Sequence, residues 1–143
     1  MELEIVESYD FPVKKVKGIL SGNQIILNMR EIKNKAELNC ILAEEVGHYH
    51  TASGDILDQN NIVKRKIELQ GKKWAYQHLV PLEALIEGFE LRLTRYELID
   101  KLNITEDFFH EAIESYKKKY GCYVELDKYL IVFEPNLQII KWF

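Results

Sequence analysis

Leu42-Ala43-Glu44-Glu45-Val46-Gly47-His48-Tyr49-His50-Thr51 is the stretch on which the reading of this chain turns. Leu38, Ile41, Leu42, Val46 and Tyr49 recur close to every 3.6 residues, which predicts a helix from Lys35 to about His50. On that helix Glu44 and His48 lie one turn apart on a shared face, and Glu45 sits beside them, three residues before His48. Ala43, Val46 and Gly47 make the surroundings largely apolar, so these three ionisable groups are expected to be partly buried. Buried ionisable groups need partners, and one cation would satisfy all three.

The spacing has a chemical meaning. A helix bearing H-E-x-x-H binds zinc through two side chains one turn apart, and its glutamate acts as general base on water. Here the pattern is Glu44-Glu45-x-x-His48: the base and the second ligand position are present, and Glu44 stands at the first. A third ligand usually comes from another helix. A second helix is predicted from Val63 to Leu79, stopping before Pro81, and it offers Glu68. Glu68 shares a face with Gly71, Lys72 and Ala75, and the two small residues would let this helix approach the first closely. The plainer readings are an acidic pair on a solvated helix, and a surface Glu68 paired with Lys64 or Lys72.

Outward from this centre, Gly18-Ile19-Leu20-Ser21-Gly22-Asn23 and Gln24-Ile25-Ile26-Leu27-Asn28 predict a small N-terminal hairpin with a Ser-Gly-Asn turn. Downstream, Pro81 opens a short helix expected to run through Glu87 and to end at Gly88. Thr94-Arg95-Tyr96-Glu97 is a capping box. Thr105 is the next N-cap, and Phe109, Ala112, Ile113, Tyr116 and Tyr120 stripe a helix that Lys117-Lys118-Lys119 and Gly121 close. Tyr129–Phe133 and Gln138–Trp142 then flank a probable turn at Glu134-Pro135-Asn136-Leu137, a C-terminal β-hairpin. The fold class is α+β, with a helical middle.

The 143 residues are expected to form one domain, with strands and site helices in 1–80 and a helical and hairpin part in 81–143. Nineteen basic against 23 acidic residues give a net charge of −4, which argues against binding nucleic acid by bulk charge. A helix-turn-helix reading of residues 94–120 is disfavoured by Glu106, Asp107, Glu111 and Glu114, which would face phosphates. No apolar run approaches the ~20 residues needed to span a bilayer, and the acidic N-terminus is no export signal. The expectation is a cytoplasmic protein with Cys40 and Cys122 as packed thiols.

These motifs together resemble a known family. Ala43 to Thr51 is similar to the site helix of the phage- and mobile-element branch of the ImmA/IrrE metallopeptidases. Glu68-Leu69-Gln70-Gly71-Lys72-Lys73-Trp74-Ala75, followed by Leu79-Val80-Pro81-Leu82, resembles that family's Glu-x-x-Ala-x-x-aromatic-Ala block and the Leu-x-Pro after it. Tyr96-Glu97-Leu98, Tyr116 to Gly121 and Phe133-Glu134-Pro135 also look like its pieces, so the likeness spans about Gly18 to Lys141. The resemblance implies a small gluzincin-like zinc protease that cleaves a repressor or regulator protein, typically of helix-turn-helix type, encoded beside it. It implies His48 and Glu68 as zinc ligands and Glu45 as general base, with Glu44 where the family has its first ligand histidine. A Glu44/His48/Glu68 set is harder and more anionic than a two-histidine site, which shifts preference from Zn²⁺ towards Mn²⁺ or another divalent cation. It would also acidify bound water less, so the alternative is a catalytically degenerate pseudoprotease that grips a regulator. Gly71 replaces the family's usual Ala, a mild departure.

The remaining candidates are ranked lower. His50 points away from Glu44 and is assigned a capping or metal-supporting role. Asp55 and Asp58 follow in the loop as caps or as carboxylates orienting His48. His78 and His110 lack matching partners, and Trp74, Tyr76 and Trp142 are expected in the core.

Overall fold

The computed structural model describes residues 2–51 and 61–142, and of residues 61–64 the backbone alone. The expected loop after Thr51, with Asp55 and Asp58, lies outside the described residues. The protein is α+β: β1 (Glu4–Ser8), β2 (Gly18–Ser21), β3 (Gln24–Asn28), α1 (Lys35–Thr51), α2 (Asn61–Leu79), α3 (Leu82–Glu90), α4 (Arg95–Leu102), α5 (Glu106–Tyr120), β4 (Tyr123–Leu126), β5 (Tyr129–Val132) and β6 (Gln138–Lys141). The chain divides into two compact units, Met1–Ala75 and Tyr76–Phe143.

In the first unit β2 and β3 form the expected hairpin, Gly18 opposite Leu27 and Ser21 opposite Gln24, with Gly22 at a φ of 61° in the turn. β1 adds to the other side of β3 in parallel, giving the order β1-β3-β2. Alternation along β3 buries Ile25 and Leu27. Asn28, also buried, ties down the preceding loop: its Nδ2 donates to the Val16 carbonyl at 2.8 Å. α1 packs on β2 and β3. Asn34 caps it, its Oδ1 accepting from the Glu37 backbone N–H at 2.9 Å. Cys40, Glu45 and Gly47 are buried along α1, whereas the periodic apolar residues are only half-buried.

The second unit is built on α5. Phe108, Phe109, Ala112, Ile113 and Tyr116 are its buried stripe, as expected, and Gly121 takes a φ of 80° at its end. Both predicted caps form: Thr94 and Glu97 exchange hydrogen bonds as a full capping box, and Thr105 Oγ1 accepts from Phe108 N–H at 3.1 Å. Tyr116 donates its hydroxyl to the Val80 carbonyl at 2.7 Å, and burial pushes that phenol well above its ordinary range.

Four expectations need correcting here. Gly88 does not stop α3; it is buried inside the helix, where a Cβ would lie 3.2 Å from the Leu98 methyls. The stop falls at Arg92, at a φ of 56°, with Leu93 N–H donating back to the Gly88 carbonyl. The C-terminal hairpin exists as β5 and β6, but β4 joins it to make a three-stranded antiparallel sheet, β4-β5-β6. Trp142 is not a core residue, being 39% exposed, and Cys122 is exposed rather than packed.

Candidate functional site

The expected helix brings Glu44, Glu45 and His48 together as the spacing requires. Glu45 is buried because β2 lies on it: a Cβ built on Gly18 would sit 3.6 Å from Glu45 Cγ and 3.0 Å from Ile41 Cγ2. Glu44 and His48 are half-buried.

The ring of His48 is held from two sides. Its Nδ1 lies 3.3 Å from Glu45 Oε2, one helical turn back. On its other flank is α2. A Cβ on Gly71 would overlap the imidazole, falling 2.8 Å from Nε2 and 3.0 Å from Cγ. A Cβ on Gly47 would in turn overlap the Gly71 carbonyl group and come within 3.2 Å of the Trp74 ring. The two helices therefore touch backbone to backbone at Gly47 and Gly71, as the small residues of α2 suggested. As His48 is placed, an alanine at position 71 has no room.

The electrostatics follow from this packing. The hydrogen bond to Glu45 raises the pKa of His48 above its ordinary 6.5, and the charges of Glu45, Glu44 and Glu68 add to it against the opposing effect of burial. When the imidazole is neutral, Nδ1–H donates to Glu45 and Nε2 keeps its lone pair. That Nε2 is buried and has no hydrogen-bond partner among the described residues. An unsatisfied buried nitrogen beside carboxylates fits a cation ligand.

Other parts of the proposed set are placed less favourably. Glu68 is exposed on α2, one turn before Gly71, and acts on His48 through its charge rather than by contact. Among the described residues no three His, Cys, Asp or Glu side chains converge tightly enough to hold a metal ion. Glu45, expected as the base, spends one oxygen on orienting His48. His50, in the last turn of α1, is exposed and stacks on Trp74, ring centroids 5.1 Å apart at 24°. Trp74 is half-buried rather than a core residue, Tyr76 is buried, and His78 and His110 are exposed.

No family model matches this chain, and no curated protein or solved structure does. Among the described residues no helix is long and apolar enough to cross a membrane.

Proposed function

We propose that the protein is a metal-dependent endopeptidase of the ImmA/IrrE type, with a gluzincin-like fold, acting on a repressor or regulator encoded beside it. The buried Nε2 of His48, with no hydrogen-bond partner among the described residues, is the observation that carries this reading. It sits one helical turn from Glu44, beside Glu45, in a field of three carboxylates that includes Glu68. His48 and Glu44 would hold Zn²⁺, Mn²⁺ or another divalent cation only with Glu68 turned in from α2, since the three do not form a ligand group as they stand. Such an ion, when bound, polarises a peptide carbonyl and lowers the pKa of water.

The chain's own residues do the rest. Glu45 fixes the His48 ring through Nδ1 and so presents Nε2 as a lone pair. Its second oxygen is the base that takes a proton from the attacking water and returns it to the leaving amine. The backbone of Gly71 lies against the imidazole ring and limits how it can turn.

The test is cleavage of the neighbouring repressor by the purified protein loaded with zinc or manganese. Wild type releases two fragments. Glu45→Gln slows cleavage by about 10²–10⁴-fold, the usual contribution of a general base, and His48→Ala abolishes it. Absence of cleavage by the loaded wild type contradicts the enzyme reading.

A second reading has a specific observation behind it. Glu45 is committed to His48, and Glu44 replaces a histidine. Both favour a catalytically idle protein that binds the regulator. On that reading Glu45→Gln leaves derepression in the host element unchanged.

A further inference from the structure

The second unit contains a cleft of about 380 Å³, remote in sequence from the His48 helix. That volume lies within the range of small-molecule sites. Leu85, Leu98, Phe109 and Leu137 make it apolar; Arg95, Asn136 and Gln138 supply its polar groups.

Arg95 makes two contacts. Its Nε donates to Glu106 at 2.9 Å, and its guanidinium lies 4.8 Å over the Phe109 ring. Those two contacts leave its terminal nitrogens without a protein partner among the described residues. The amides of Asn136 and Gln138, on the turn into β6 and at its first residue, likewise show no hydrogen-bond partner among the described residues. Arg95, Asn136 and Gln138 thus add hydrogen-bond donors to an otherwise mostly apolar lining.

We infer that this cleft binds a small amphipathic acid, an apolar chain or ring system ending in a carboxylate. At the ~30 Å³ that a water-sized group occupies in a liquid, the cleft holds about a dozen heavy atoms. The apolar body gains by leaving water, and the carboxylate takes the planar fork of Arg95. Glu106 balances part of the Arg95 charge, so the acid is selected by directed hydrogen bonds more than by net attraction. The size favours a free small molecule over a folded partner.

The experiment is a titration of the full chain with octanoate, and separately with 1-octanol, followed by backbone and methyl NMR. Octanoate should shift the signals of Leu85, Leu98, Leu137 and Ile139. It should bind roughly tenfold more tightly than octanol, the size of one charge-assisted hydrogen bond after partial compensation. Arg95→Gln, at an exposed position, should remove that preference and leave octanol binding unchanged. Leu137→Arg should remove both. No shifts, equal affinity for acid and alcohol, or a preference that survives Arg95→Gln would overturn the assignment.

Discussion

Gly71 decides how His48 is seated. The imidazole lies where a Cβ on Gly71 would be, and Gly47 gives the helices the same freedom one layer down. Gly71→Ala should therefore displace the His48 ring and destabilise the protein by about 1–3 kcal/mol, the usual cost of overpacking. Urea unfolding with an NMR readout of the His48 ring checks both effects; an unchanged ring environment would contradict the packing argument. At this scale the sequence was partly legible. The spacing of Glu44, Glu45 and His48 fixed which groups share a face, because helix geometry alone sets it. The Glu45–His48 hydrogen bond required a rotamer choice, and the Gly71–His48 contact required a second helix, so neither could be read from spacing. The His50–Trp74 stack is hidden for the same reason: its partners meet only when α1 and α2 pack.

Elements were most legible where side chains name their own ends. Thr94 and Glu97 illustrate this: the Thr94 backbone N–H donates to Glu97 Oε1 at 3.0 Å, and Thr94 Oγ1 accepts from the Glu97 N–H. The backbone hydrogen bond from Thr94, aided by the Thr94 side chain, holds the Glu97 carboxyl below its usual 4.5. A depressed folded-state pKa contributes stability that is complete above the unfolded value and lost as pH falls through the folded one. Wild type should therefore melt higher than Glu97→Gln at about pH 6, and the gap should narrow by about pH 3 as the carboxyl takes up a proton. Thermal melts at the two pH values measure this, and a gap that does not narrow in acid would show that the charge plays no part. Illegible elements lacked such local signals. β4 has four residues, too few for a two-residue period to register, and it turns into β5 through Asp127 at a φ of 54° rather than through a glycine. Gly88 looked like a helix stop, yet its smallness serves Leu98. The parallel pairing of β1 with β3 is a long-range event that no local pattern announces.

For the molecule as a whole, composition settled the class and little more. Hydrophobic residues at 47% support a folded chain, and the two units each bury a core, around Ile25 and Leu27 in one and Phe109 and Ile131 in the other. The net charge of −4 takes on a different meaning beside the site. Glu44, Glu45 and Glu68 all act on His48, so part of the acidity is concentrated at one place on the first unit. A cation bound there would neutralise it and favour the folded state by mass action. The most direct measurement is calorimetric titration of the dialysed full chain with Zn²⁺ and Mn²⁺. Wild type should take up one equivalent with an affinity tighter than millimolar, and His48→Ala should lose that uptake. Wild type that binds neither ion, or His48→Ala that binds as wild type does, would contradict the metal site and with it the proposed chemistry.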